Sequence, residues 1–192
     1  LWSLVSNAQQ STIYVHSNKD FQQAVGLYNS GQYQAAQNIF EKVKGSTNDY
    51  EVSADCAYYI ANAAIRLNQL GADKLMEDFV LDYPTSTKRN TAFMDVADYY
   101  FENGRYAYAL KWYDKVEDQN MSRKDREDFN FKKGYALFTA RKYKDAERYL
   151  KKVENSNKYG SQAKYYIGYM AYQKDNYDTA NTYFDQITNE QE

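Results

Sequence analysis

Few side chains in this sequence could take part in covalent chemistry. The 192 residues include one histidine, His16, and one cysteine, Cys56. A nucleophile needs a base beside it, a metal needs several ligands, and a phosphate site needs a glycine-rich loop, and no such set can be assembled here. The sequence therefore predicts no enzyme, no metal site and no cofactor. Cys56, inside an apolar helical pattern, is expected to be a small core residue.

Tyrosine is the abundant functional side chain. The chain has 22 tyrosines beside 9 phenylalanines and 2 tryptophans. A ring that carries a hydroxyl can stack on a bound peptide and hydrogen-bond to it at a low cost in side-chain entropy, which is why tyrosine is enriched at interfaces. The composition therefore favours non-covalent recognition.

The tyrosines follow an internal repeat. The pattern Tyr-x-x-Ala occurs at Tyr33, Tyr106, Tyr143 and Tyr177, and Tyr143 and Tyr177 are 34 residues apart. Tyr106 and Tyr143 are 37 residues apart, and Tyr33 and Tyr106 are 73 apart, which leaves room for one degenerate repeat. A period of this size is typical of stacked helical hairpins. With a single proline, Pro84, little interrupts helix, so the sequence predicts an all-α fold.

The third repeat shows how a hairpin is built. Its apolar residues are spaced by three, four and seven, which makes two successive helices amphipathic. Gly104 lies between these helices and suits the left-handed conformation that closes the first one. Ala97 and Ala109 are expected where the helices approach closely, with tyrosines filling the space beside them.

These residues resemble the tetratricopeptide repeat family, whose motif alternates small and bulky residues at fixed positions. The resemblance covers about residues 17–189 of a predicted array over 17–192. It is weakest in repeat two, where Leu70 replaces the motif tyrosine and the interval to Ala72 is one residue shorter. A shortened turn between its helices is therefore expected. The family implies a right-handed superhelical solenoid of about five antiparallel hairpins. The predicted repeats are 17–48, 50–84, 87–118, 122–155 and 158–189.

Family geometry also implies a concave face lined by the first helix of each hairpin. We expect this face to form a tyrosine-rich groove that binds a peptide or partner protein, with Tyr135 and Tyr169 central to it. The alternative is that the rings only pack against the next repeat. The predicted groove residues are Phe21, Tyr28, Tyr58, Asn62, Asp98, Phe101, Phe131, Tyr135, Phe138, Tyr165, Tyr169 and Tyr172.

Charge and composition limit the classes of partner that the sequence predicts. The 24 basic and 26 acidic residues are interleaved, so no basic stripe for nucleic acid exists. The cationic clamp that some family members use for a C-terminal carboxylate is absent, since only Lys132 occupies a matching position. Two alternatives remain open, namely a self-assembling structural spacer and a carbohydrate-binding module with aromatic platforms. The second is disfavoured because Trp2 and Trp112 lie away from the predicted groove.

The N-terminal residues are informative about the cellular location of the protein. Residues 1–8 end in Ser6 and Ala8 and are similar to the remnant of a secretory signal, followed by a lead segment over 9–16. The segment 79–84 resembles the repeat variant of envelope proteins of Gram-negative bacteria. We therefore expect an exported, periplasmic or outer-membrane-associated protein without a transmembrane segment, or a cytoplasmic one if the signal assignment fails.

The last predicted repeat has no polar capping helix after it. We expect the sequence to be the N-terminal part of a longer array, because solenoids need such a cap. An apolar face left open on this repeat would allow self-association.

Overall fold

The computed structural model describes residues 18–117 and 121–189, and every regular element in these ranges is helical. The chain divides into two compact units, one ending at Ala92 and one beginning at Phe93. The helices are α1 (18–29), α2 (Tyr33–Ser46), α3 (Tyr50–Arg66), α4 (Ala72–Asp82), α5 (Arg89–Glu102), α6 (Tyr106–Tyr113), α7 (Arg123–Thr139), α8 (Tyr143–Leu150, continued by a 3₁₀ turn Lys151–Val153), α9 (Gly160–Tyr172) and α10 (Tyr177–Asn189).

Neighbouring helices pack in sequence order within each unit. In the first unit α3 packs against both α2 and α4, and in the second α7 packs against α6 and α8 while α9 packs against α8 and α10. The predicted all-α array of helix hairpins is confirmed. The signal-like residues 1–8, the lead segment 9–16 and His16 lie outside the described residues.

The alanines of the Tyr-x-x-Ala pattern lie in the core. Ala36, Ala109 and Ala146 have no exposed surface, and Ala180 is 1% exposed. Ala97 is also completely buried, as the alternation of small and large residues predicted. Each small residue therefore marks a place where two helices approach closely.

Two glycines allow the closest approach between the helices of a hairpin. A Cβ atom on Gly134 of α7 would lie 2.8 Å from Cγ of Leu150 in the second helix of the same hairpin. A Cβ atom on Gly168 of α9 would lie 2.8 Å from the ring of Phe184. Side chains at these positions would push the two helices of each hairpin apart.

One type of turn joins the helices of all five hairpins. A residue with positive φ follows the first helix, and the next amide donates to the carbonyl five residues before it, as in the bond of 2.8 Å from Arg105 to Tyr100. The left-handed residues at this position are Gly31, Asn68, Gly104, Arg141 and Asp175, and the second turn contains a further one, Gly71. Gly104 has a φ of 70°, which confirms the conformation predicted for it.

The second hairpin does not have the shortened turn that the sequence predicted, because five residues, 67–71, separate its helices, whereas three residues, 103–105, separate those of the third hairpin. Only the interval from the left-handed residue to the buried alanine is shorter. Ala72 follows the left-handed residue Asn68 by four positions, whereas Ala109 follows Gly104 by five, so the interval is one residue shorter. Leu70 does not take the place of the motif tyrosine, because its side chain is fully exposed. Gln69, the residue before it, is half-buried and exchanges hydrogen bonds of 2.8 and 3.0 Å with Gln37.

Three further predictions concern Cys56, a membrane span and the surface of the last hairpin. Cys56 is completely buried in the core of the first unit, and this burial, with the charge of Asp55, raises the pKa of its thiol to about 12. No helix in the described part of the chain is long and apolar enough to span a membrane. On α10 the most exposed side chains are polar except for Tyr177, while Tyr183, Phe184 and Ile187 are partly exposed, so the expected self-association through the last hairpin stays a prediction.

Candidate binding surface

The predicted groove residues of the second unit are joined by ring contacts. Phe101 of α5, Tyr135 and Phe138 of α7, and Tyr169 of α9 are all half-buried. The ring centroids of Phe101 and Tyr135 are 5.7 Å apart, and those of Phe138 and Tyr169 are 5.6 Å apart. Most of these contacts are edge-to-face, an arrangement favoured between aromatic rings. The first helices of three successive hairpins are therefore connected by one aromatic network.

Tyr135 is the centre of this network and mainly a packing residue. Its ring lies 5.3 Å from Tyr106 and 5.1 Å from Tyr166, and it also contacts Phe101, Phe131 and Phe138. Burial raises the pKa of Tyr106, and a hydrogen bond with Tyr135 raises it further. Replacing Tyr135 would therefore disturb three hairpins. A variant of Tyr135 would therefore change stability as well as any binding, so it cannot test the groove, although the sequence placed Tyr135 at the centre of it.

Two predicted groove residues of the second unit are engaged in contacts between helices. Phe131 is only 8% exposed because the ring of Tyr159 stacks on it at 4.2 Å. Asp98 accepts a hydrogen bond of 2.6 Å from the hydroxyl of Tyr113 and pairs with the ammonium of Lys132 at 2.8 Å. Phe131 is therefore buried, and Asp98, although partly exposed, already has its carboxylate bound to Tyr113 and Lys132.

Asn62, another predicted groove residue, is completely buried in the first unit. Its amide donates to the carbonyl oxygen of Tyr58 at 3.1 Å and its side-chain oxygen accepts from Arg66 at 2.9 Å. Its assignment to the groove is wrong in this conformation, because a partner could reach it only by displacing its neighbours.

The remaining candidates of the first unit meet around one tyrosine. Phe21, Tyr28 and Tyr58 are half-buried, and their ring centroids lie 6.3, 5.0 and 5.3 Å from that of Tyr59. Tyr59 also stacks on Phe40 at 4.8 Å. Sequence reasoning missed this residue, although a tyrosine directly after Tyr58 on an apolar helix was a signal for it.

The first helix of the fifth hairpin, α9, has an exposed stripe of tyrosines. Tyr165, Tyr169 and Tyr172 occupy positions i, i+4 and i+7 of α9, so they share one face of the helix. Tyr165 is 50% exposed and Tyr172 is 53% exposed, while Tyr169 is half-buried against Phe138. We call these three residues the α9 stripe. It is the part of the predicted groove that a partner could contact without rearrangement.

A second surface feature lies near the network and was not predicted. The guanidinium of Arg105 lies 4.2 Å from the ring centroid of Tyr108 and 5.0 Å from that of Tyr100. The three-residue spacing of Arg105 and Tyr108 at a helix start was the available signal. Within the described residues no group of three or more histidine, cysteine, aspartate or glutamate side chains could hold a metal ion.

An open face of stacked helix hairpins defines a protein-interaction scaffold of the α-solenoid class. Residues 131–190 match the model of the tetratricopeptide repeat. The match identifies this segment of the second unit, and not the whole chain, as tetratricopeptide repeat.

Solved structures of MamA share this fold. MamA AMB-1, in its P212121 crystal form, superposes with a TM-score of 0.63 at 16% identity and covers 91% of both chains. MamA MSR-1 gives a TM-score of 0.60 at 16% identity, covering 91% of this chain and 96% of the other. MamA from Desulfovibrio magneticus RS-1 gives 0.62 at 14% identity, covering 90% and 93%. No curated protein sequence matches the chain significantly.

Proposed function

We propose that this protein is a non-catalytic scaffold that binds a peptide or a segment of a partner protein on the α9 stripe and the adjoining face of α7. The single observation that carries the proposal is the exposure of Tyr165 and Tyr172, each about half accessible on the same helical face. Large rings that remain accessible in a folded protein are suitable anchors, because binding buries their apolar surface and leaves the hydroxyl able to hydrogen-bond.

The neighbouring rings support this use of the stripe. Tyr165 contacts Tyr166 at 5.4 Å and Phe184 at 6.2 Å, and Tyr172 contacts Tyr177 at 5.5 Å. These contacts restrict the exposed rings before a partner arrives. A smaller loss of side-chain freedom on binding is one source of affinity.

The test is a double variant, Tyr165→Ala with Tyr172→Ala. Bound proteins are captured from an extract of the cell envelope with the wild-type chain and with the variant, and the dissociation constant of each purified partner is then measured by calorimetry. Truncation of an anchor residue costs about 2 kcal/mol or more, so the dissociation constant should rise at least about tenfold.

Leu70→Ala is the matched control, since Leu70 is a fully exposed large apolar residue of the other unit. Circular dichroism should show unchanged helix content for both variants. Partners that bind the double variant as tightly as the wild type would refute the proposed surface. Capture of a glycan instead of a protein would favour the alternative of a carbohydrate-binding module. Self-association that is as strong in the double variant as in the wild type would favour the alternative of a structural spacer.

We also propose that the protein is exported to the bacterial envelope. This rests on the residues around Ser6 and Ala8, which resemble a signal cleavage site, and on the resemblance of the segment 79–84 to the repeat variant of envelope proteins. Fractionation of cells that express the protein from its own gene tests it, and recovery in the cytoplasm alone would contradict it.

A further inference from the structure

A cleft of about 400 Å³ lies between the turns of the third and fourth hairpins. All of its walls belong to the second unit. Its volume is within the range of side-chain and ligand pockets. The lining residues are Gly104, Arg105, Tyr106, Ala107, Tyr108, Thr139 and Ala140.

Arg105 is the charged residue of this cleft, and two tyrosines hold it in place. Tyr100 and Tyr108 stack on each other with centroids 5.4 Å apart, and the guanidinium lies over both rings. Stacking uses the flat face of the guanidinium and leaves the N–H groups at its edge available as donors. Arg105 is therefore oriented without its hydrogen-bonding capacity being used.

Arg105 has no carboxylate partner among the described residues, although many other cations of the same unit do. Lys132 pairs with Asp98 at 2.8 Å and Lys158 pairs with Asp128 at 2.8 Å. An arginine that is oriented by rings but lacks an anion is complementary to an anion supplied from outside. The planar fork of its donors fits a carboxylate with two parallel hydrogen bonds.

The cleft is continuous with the aromatic network of the candidate surface. Tyr106 lines the cleft, and its ring centroid lies 5.3 Å from Phe101 and 5.3 Å from Tyr135. Beside Arg105 the walls are apolar or weakly polar, formed by Ala107, Ala140 and the aromatic rings. They suit an apolar neighbour of the bound acid.

We propose that this cleft binds an aspartate or glutamate side chain of a partner segment, with the carboxylate on Arg105 and an adjacent apolar or aromatic side chain between Tyr106 and Ala140. The inference rests on the proposed function in one respect, namely that the ligand is a protein segment. Because arginine keeps its charge at all physiological pH values, binding depends on ionic strength and not on the protonation of the protein.

Two short probes test the inference on the full chain, acetyl-tyrosyl-glutamate amide and acetyl-tyrosyl-glutamine amide, which differ only in the charge. Backbone amide resonances are followed by NMR during titration. We expect the glutamate probe to shift the amides of Arg105, Ala107 and Ala140, and to bind at least about tenfold more tightly than the glutamine probe, since a charge-assisted bidentate contact is lost.

Variants assign this effect to one side chain. Arg105→Gln should remove the preference for the glutamate probe, and Arg105→Lys should retain part of it, because lysine keeps the charge but lacks the planar fork. Arg141→Gln is the matched control, since Arg141 is an exposed arginine at the next hairpin turn and does not line the cleft. It should leave both affinities unchanged.

Equal affinity of the two probes, shifts outside the cleft only, or an unchanged preference in Arg105→Gln would overturn the inference. The proposed function is judged separately by the Tyr165/Tyr172 variant. If that variant no longer captures partners but the glutamate probe does not shift the amides of the cleft, the proposed function is supported and the proposed acid-binding role of the cleft is rejected. The opposite pair of results would retain the cleft and reject the proposed function.

Discussion

The turn at Arg141 allows the physical account of the repeats to be tested quantitatively. Arg141 has a φ of 58° and is exposed, and its side chain makes no hydrogen bond, ion pair or ring contact with other described residues. The left-handed conformation costs a residue with a side chain about 1–2 kcal/mol, whereas glycine adopts it freely but loses about 0.5–1 kcal/mol more conformational entropy on folding. Arg141→Gly should therefore raise the free energy of unfolding by about 0.5–1 kcal/mol.

Two variants at related positions make the reasoning specific. Lys142, the next residue, has a φ of −83°, so Lys142→Gly gains no relief from strain and should lower stability by about 0.5–1 kcal/mol. Gly104 has a φ of 70° and no atom within 4 Å of an added Cβ, so Gly104→Ala should lower stability by about 1 kcal/mol through the backbone alone.

Urea unfolding of the full chain, followed by circular dichroism, measures all three variants. Stacked hairpins need not unfold in one step, so the midpoints are compared only where the slopes with urea are equal. A lower midpoint for Arg141→Gly than for the wild type would refute the reasoning. So would an equal gain in Lys142→Gly, since that would point to a general benefit of glycine in the loop.

Two further predictions concern packing and charge. Gly134→Ala should destabilise the chain, because overpacking against Leu150 costs about 1–3 kcal/mol and the higher helix propensity of alanine offsets only about 1 kcal/mol. Gly26→Ala is the control: no atom lies within 4 Å of the added Cβ, so this variant should be more stable than the wild type by about 1 kcal/mol in the same urea assay. Burial is the largest single influence on the pKa of Asp128 and raises it, but the hydrogen bonds from Lys158 and Tyr159 and the charges of Lys158 and Lys132 together outweigh burial and lower the pKa. The stabilisation from Asp128 is therefore present above the unfolded pKa of about 3.9 and is lost as the pH falls through the folded pKa. Asp128→Asn should be less stable than the wild type by about 1–2 kcal/mol at neutral pH and equally stable in acid, and a pH-independent difference in unfolding free energy would contradict this.

Much of the fold could be predicted because its determinants repeat in the sequence. Ala36, Ala109 and Ala146 recur at fixed distances from a tyrosine, and the structure buries all three completely. The left-handed turn could be predicted at Gly104 but not at Arg141, because arginine carries no local preference for positive φ. There the hydrogen bond of 2.9 Å from Lys142 to the carbonyl of Leu137, together with the packing of the two helices, imposes the conformation.

The binding surface was harder to predict, because exposure depends on residues outside the repeating positions. Phe131 and Tyr165 are 34 residues apart and occupy the same motif position, yet the first is 8% exposed and the second 50%. The difference at Phe131 comes from Tyr159, which precedes the next first helix and stacks on its ring. A motif describes what recurs in each hairpin, and Tyr159 is not part of it.

The location of charge suggests how the two proposed contacts divide the recognition of a partner. The α9 stripe consists of three tyrosines and carries no formal charge, whereas Arg105 carries a positive charge. Binding to the stripe would come from buried apolar area and depend little on salt, whereas binding at Arg105 would weaken as salt screens the ion pair. A partner that uses both would therefore lose only the contribution of Arg105 at high ionic strength, and Arg105→Gln should remove the salt dependence while the Tyr165/Tyr172 variant keeps it.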